Sequence, residues 1–170
     1  FLLSLFSVVV FPPLGYPSCF SSRTLFLEYP LDNLIIIIVV VEHDQSGIKP
    51  VTYELLNAAR KLAETGKVIA LYFTDSEEAD GLLLTHYGAD EVRICIHPDY
   101  HQYIYETYEA GLLKEMAKAQ PDIVLMAASN SGKELSAAVA TRLGVALATD
   151  CIDLKLSEEL ELSIAPAELR

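Results

Sequence analysis

The stretch from Pro121 to Asp150, PDIVLMAASNSGKELSAAVATRLGVALATD, constrains the fold more than any other part of the chain. Its apolar run Ile123 to Ala128 lies between Pro121-Asp122 and a small polar loop, Ser129-Asn130-Ser131-Gly132. A short apolar run between turn signals fits a strand covered on both faces, the condition of strands in parallel sheets. After the loop, Leu135, Ala138, Val139 and Leu143 recur at helical spacing and give the next element one apolar stripe. Ser131 followed by Glu134 reads as a capping box, and Gly144 as the helix stop. The unit is strand, polar loop, helix, with backbone N–H groups and partial positive charge at the helix start.

The same alternation recurs along the chain. Leu34 to Val41, LIIIIVVV, is a β-branched run without polar interruption and so a second doubly covered strand. Glu42-His43-Asp44 emerge at its end, and Pro50 opens a helix with Val51, Leu55, Ala58, Ala59 and Leu62 inward and a stop at Gly66. Val68 to Phe73 gives the next strand. Asp75 with Glu78 predicts a capped helix carrying Ala79, Leu82 and Leu83 and ending at Gly88. Glu91 to Ile96 gives another strand, and His97-Pro98-Asp99 opens a longer helix with Ile104, Tyr108, Leu112 and Met116 on one side. Its tyrosines, Tyr100, Tyr103, Tyr105 and Tyr108, fit half-buried packing better than a cofactor-stacking set. Val145 to Leu156 is the fifth strand. Ile152, Leu154 and Leu156 alternate with Asp153 and Lys155, which suits a position near the sheet's edge.

Five strands alternating with helices predict an α/β protein with three layers, an open and mainly parallel five-stranded sheet covered by helices on both faces. The domain is expected over 34–156. Residues 1–33 read as an extension of uncertain order: Phe1 to Phe11 is apolar but too short to span a bilayer, and Pro12-Pro13, Gly15, Pro17 and serines follow. Residues 157–170 read as an acidic tail without a further element.

A formal charge of −12 with only 12 Lys and Arg disfavours a nucleic-acid partner. Cys19, Cys95 and Cys151 form no C-x-x-C pair, so neither a zinc site nor a disulfide framework is expected. His43, His86, His97 and His101 lack paired metal-ligand spacing. Gly132-Lys133 fails as a P-loop, because Ala127 occupies the first glycine position and Glu134 the Mg²⁺-binding Ser/Thr position. No G-x-G-x-x-G and no G-x-S-x-G is present. His43 with Ser129 or Ser131 therefore reads as a polar turn and not as a hydrolytic set, and no catalytic residues are expected.

The segments VVVEHDQSGIKPVTYELLNAARKLA, PDIVLMAAS and AASNSGKELSAAVATRLGVALATD, in that order, resemble the N-terminal domain of electron-transfer flavoprotein alpha subunits. The resemblance covers roughly Ile35 to Asp153 and implies an adenine-nucleotide alpha-hydrolase-like strand order, with the first and fourth of the five strands adjacent. The loops holding Glu42, His43, Asp44 and Ser129, Asn130, Ser131, Gly132, Lys133 would then meet at the topological switch point, where such sheets bind ligands; Asp150 matches the family's Ser/Thr-Asp pair. The glycine-rich loop of ATP-cleaving alpha hydrolases has no counterpart at Glu42–Gly47. The resemblance further implies a non-enzymatic docking platform for the beta subunit in a heterodimer. That assembly carries electrons through FAD from acyl-CoA and related dehydrogenases, as in fatty acid beta-oxidation. The flavin-binding C-terminal domain has no counterpart here, so this chain alone is expected not to retain FAD. No membrane span is expected, and a bacterial cytoplasmic location is preferred to the mitochondrial matrix. The alternative is a small nucleotide-binding module of the universal-stress type, whose phosphate loop after the fourth strand is missing.

Overall fold

A computed structural model describes residues 5–11, 19–21, 24–26, 34–77, 79, 81–156 and 162–166. Seven strands share one sheet: β1 (Phe6–Val10), β2 (Ile36–Val40), β3 (Lys67–Thr74), β4 (Glu91–Ile96), β5 (Ile123–Ala127), β6 (Ala146–Leu156) and β7 (Leu162–Pro166). Their order is β7-β6-β1-β5-β2-β3-β4. Pairing is parallel from β5 through β2 and β3 to β4. It is antiparallel where β1 meets β5 and β6, and where β6 meets β7. Helices α1 (Pro50–Ala63), α2 (Leu82–His86), α3 (Tyr105–Ala119) and α4 (Asn130–Leu143) complete the fold. A two-strand ladder joins His43–Asp44 to Gly47–Ile48, and another joins Cys19–Ser21 to Thr24–Phe26.

The layers follow from strand periodicity. Successive residues of a strand point to opposite faces, so an unbroken apolar run supplies two cores at once. Ile37, Val39, Val68, Ala70 and Leu125 join Leu56 and Ala59 of α1 on one face. Ile38, Val40, Ile69, Leu71 and Val124 join Leu112 and Met116 of α3 and Leu135 and Val139 of α4 on the other. The three-layer α/β expectation therefore holds, with the central strand and its fourth-strand neighbour adjacent.

Two strands widen the sheet beyond the five read from periodicity. Phe6–Val10 comes from the stretch read as an extension of uncertain order, yet all five residues are buried and the strand pairs on both sides, with Val8 opposite both Leu125 and Ala148 and Ser7 opposite Met126 on the β5 side. Its FSVVV sequence suits a doubly covered strand, and it fills the position between β5 and β6. Leu162–Pro166 adds β7 along β6. Pro12-Pro13, Glu78 and the acidic Ser157–Glu161 lie outside the described residues.

Four local expectations change. The helix start after β5 is capped by Ser129, whose Oγ accepts from the Gly132 N–H at 3.1 Å, and not by Ser131 with Glu134. Asp75 caps no helix: α2 is only five residues long and starts after Gly81, where a Cβ would stand 2.5 Å from Val92 Cγ1. Leu84 alone of its leucines is buried, while Leu82 and Leu83 are exposed. Pro98–His101 forms a separate 3-10 turn, and an extended Ile104, itself exposed, precedes α3. In β6, register irregularities and a left-handed Asp150 at φ 54° turn Ile152 to solvent, out of the expected stripe.

At the opposite end of the sheet, side chains close the ladder. Asp122 Oδ2 accepts from the Ile36 N–H at 2.7 Å, tying β2 to β5 below their last paired residues. Asp90 accepts from Arg60 Nη1 at 2.7 Å and from the Val68 N–H at 2.8 Å, while Arg60 also donates to the Glu64 and Gly66 carbonyls. Burial alone would raise the Asp90 carboxyl, but the Val68 N–H and the Arg60 guanidinium together hold it below its usual range. A depressed folded-state value contributes stability that is present above the ordinary carboxyl range and lost as pH falls through the folded value. Asp90→Asn should therefore be less stable than the parent at pH 7 in urea denaturation, with the gap closing in strong acid. A gap independent of pH would contradict this account.

Candidate functional site

The loops after β2 and β5 start from neighbouring strands that run the same way, so they open side by side at one end of the sheet. That end is the crevice expected at a switch point, since the chain leaves β2 toward β3 on one side and later returns to β5 on the other. A cleft of about 470 Å³ lies there.

Each wall has a local cause. On the β2 side, the Glu42 N–H donates to Thr52 Oγ1 at 2.9 Å, and that buried hydroxyl donates back to the Glu42 carbonyl at 3.1 Å, which fixes the strand exit against α1. The Glu42 carboxylate receives Lys49 Nζ at 2.8 Å, and this hydrogen bond raises the Lys49 ammonium above its ordinary value. His43 Nε2 donates to the Phe73 carbonyl at 2.7 Å, which only accepts, so the neutral ring carries its proton there. The same ring stands edge-on to Tyr72 at 4.9 Å between centroids. Asp44 accepts from both the hydroxyl and the N–H of Ser46, and the hydroxyl contact is the main cause of its lowered carboxyl pKa.

On the β5 side, α4 begins almost in contact with the strand it follows. A Cβ on Gly132 would sit 2.0 Å from the Ala127 carbonyl oxygen. Glycine is required here for close approach, since its side chain would meet backbone. Tyr103 crosses from the opposite wall and donates its hydroxyl to the Ser131 carbonyl at 3.0 Å.

Six of the nine residues named from sequence line the cleft: Glu42, His43, Asp44, Ser129, Ser131 and Gly132. Asn130, Lys133 and Asp150 are not among its lining residues, and Lys133 Nζ pairs with Asp150 Oδ1 at 2.6 Å. Sequence reasoning missed Tyr72, Thr74, Asp75 and Ser76 at the end of β3, and His101. The strand-end position of Tyr72 and Thr74 beside the central strand was the available signal. Tyr100, Tyr103 and Tyr108 do pack against one another and Phe73: Tyr100 to Tyr108 is 5.1 Å, Tyr103 to Tyr108 5.0 Å and Tyr100 to Phe73 5.0 Å between centroids. They also form one wall of the cleft. Burial raises the Tyr103 phenol, assisted by the nearby Glu134 carboxylate. Among the described residues no three His, Cys, Asp or Glu side chains gather as a metal site would need.

The family model described as "Electron transfer flavoprotein domain" matches residues 37–165. The chain belongs to the electron transfer flavoprotein family. It is 36% identical over 136 residues to the lactate dehydrogenase (NAD(+),ferredoxin) subunit LctC of Acetobacterium woodii, covering 77% of this chain and 32% of that protein. It is 30% identical over 120 residues to the acryloyl-CoA reductase electron transfer subunit beta of Anaerotignum propionicum, covering 69% and 33%. Against the electron transfer flavoprotein subunit alpha of Bacillus subtilis it is 29% identical over 121 residues, covering 71% and 37%. The chain thus matches about a third of the length of these relatives, and the resemblance to an alpha-subunit N-terminal domain stands.

A flavin dinucleotide does not fit the cleft. Its diphosphate would face Glu42, Asp44 and Asp75, and the lining lysine, Lys49, is already bound to Glu42. Backbone N–H groups at the start of α4 supply only about half an elementary charge, and the Gly132 N–H already donates to Ser129 Oγ.

Substitutions in the α4 start should rank by what they displace. Gly132→Ala forces backbone apart and should cost about 1–3 kcal/mol or more in urea denaturation. Ser129→Ala removes one cap and should cost about 1 kcal/mol. Equal costs, or a neutral Gly132→Ala, would show that α4 does not need this close approach.

Proposed function

We propose that this chain serves as the N-terminal domain of an electron transfer flavoprotein alpha subunit, a docking platform for the beta subunit. In that assembly electrons pass from an acyl-CoA or related dehydrogenase through FAD to an acceptor. The observation that carries the reading is the family match over 37–165, which falls on the layered body from β2 to β7. Relatives named as electron transfer subunits support the same class of work.

The chemistry of the described residues agrees. Transfer of electrons between proteins needs a held redox group and a docking face, and the organic chemistry belongs to the cofactor. His43 of the cleft is tied to a backbone carbonyl and Glu42 to a lysine, so neither of these two is arranged to activate a nucleophile. FAD, in this reading, is held by the complete assembly and not by these residues alone. Among the described residues no helix is long and apolar enough to cross a membrane, and a cytoplasmic heterodimer is the proposed setting.

The test is co-expression of the full chain with an electron transfer flavoprotein beta subunit, followed by size-exclusion chromatography and a visible spectrum. Co-elution is expected, and the chain purified alone should lack flavin absorbance near stoichiometry. Failure to co-elute, together with saturable AMP binding, would move the assignment to a nucleotide-binding module. A one-to-one yellow complex of the isolated chain would overturn the statement about FAD.

A further inference from the structure

The docking role leaves the switch-point cleft unused, yet the cleft has the parts of a small-molecule site. Its volume of about 470 Å³ falls in the range of ligand pockets. Val40, Met126 and Leu135 supply apolar lining beside tyrosines 100, 103 and 108. That aromatic wall is held in place. Tyr108 donates its hydroxyl to the Tyr100 carbonyl at 3.3 Å, and Tyr103 reaches across to α4. Tyr100 also lies over Gly111 so closely that a Cβ there would stand 2.2 Å from its hydroxyl oxygen. A fixed wall of rings loses little freedom when a flat ligand stacks on it.

Charge selects among flat ligands. The described lining residues include three carboxylates, Glu42, Asp44 and Asp75, and one ammonium, Lys49, which leave a formal charge of −2 with His43 and His101 neutral. The other lysine near the two loops, Lys133, is bound to Asp150. The helix start opposes this charge with about half a unit of positive charge, so the carboxylates dominate. Low-dielectric walls concentrate such a field inside a cleft, and tyrosine faces attract cations in addition.

We infer that the cleft binds a planar aromatic amine in its cationic form and rejects the same ring when it carries a carboxylate or phosphate. This goes beyond the docking role and needs no partner subunit, so the two stand or fall separately. The stacking wall takes the ring, and the exposed carboxylates of Asp44 and Asp75 take the ammonium group, Glu42 being held by Lys49.

The probes are tryptamine and indole-3-acetate, one ring with opposite charges, titrated into the full chain by calorimetry at neutral pH and low salt. The chain contains nine tyrosines and no tryptophan, so quenching of tyrosine emission by a bound indole, corrected for absorption by the free indole, reports occupancy beside the tyrosine wall. Tryptamine should bind saturably and about tenfold or more tighter than indole-3-acetate, as expected for charges separated by one contact distance near a protein surface. The exposed carboxylates allow a second measurement that does not threaten folding: Asp44→Asn with Asp75→Asn should reduce the preference to about threefold or less. The inference is overturned if indole-3-acetate binds as tightly as tryptamine, if tryptamine shows no saturable binding, or if the preference survives the double substitution unchanged.

Discussion

Parallel pairing of β2 with β5 is the constraint from which the rest of the architecture follows. Ile37, Ile38 and Val39 lie opposite Ile123, Val124 and Leu125, and all six side chains are buried. Two such strands cannot be joined by a tight turn, so helices must carry the chain back, and those helices cover both faces. Because the strands run the same way, their C-terminal loops open together. The candidate site is a by-product of that pairing: no residue of Glu42–Asp44 or Ser129–Gly132 had to be selected for proximity once the two strands were neighbours.

The pairing also explains what kind of site results. Loops at strand ends bring polar groups, here Glu42, His43, Asp44 and Ser129, and the outermost strand residues bring apolar ones, Val40, Val41, Met126 and Ala127. The cleft is therefore apolar at depth and acidic at its mouth. Its polar groups are largely engaged with one another or with backbone, which suits recognition and positioning rather than bond breaking.

Much of this was legible in the residues. Continuous β-branched and apolar runs such as Ile35–Val41 and Ile123–Ala127 allow few readings, and the order of strands and helices followed from them. The conformations of Pro50 and Gly144, at opposite helix ends, were also foreseeable, because each residue type has a narrow range of good positions there. Legibility failed where two local solutions are close in energy. Ser129 and Ser131 are both competent caps, and only the contact of Gly132 with the Ala127 carbonyl selects the first. Tyr100, Tyr103 and Tyr108 reach the cleft from a 3-10 turn, an extended segment and a helix, so no single periodicity could place them together. Phe6–Val10 was hidden for another reason: its position in the sheet is set by residues more than a hundred positions away.

That last separation has a kinetic side. Phe6 lies opposite Ala127 on one flank and Cys151 on the other, so this strand acquires its neighbours only after more than a hundred further residues have been made. Closing so large a loop is entropically unfavourable and slow compared with local helix formation. Until then a run of three valines remains without partners, and sticky β-branched segments in waiting are where nascent chains cluster with one another. Yield of the recombinant protein should therefore depend more on what shields these few residues during translation than on the stability of the finished sheet.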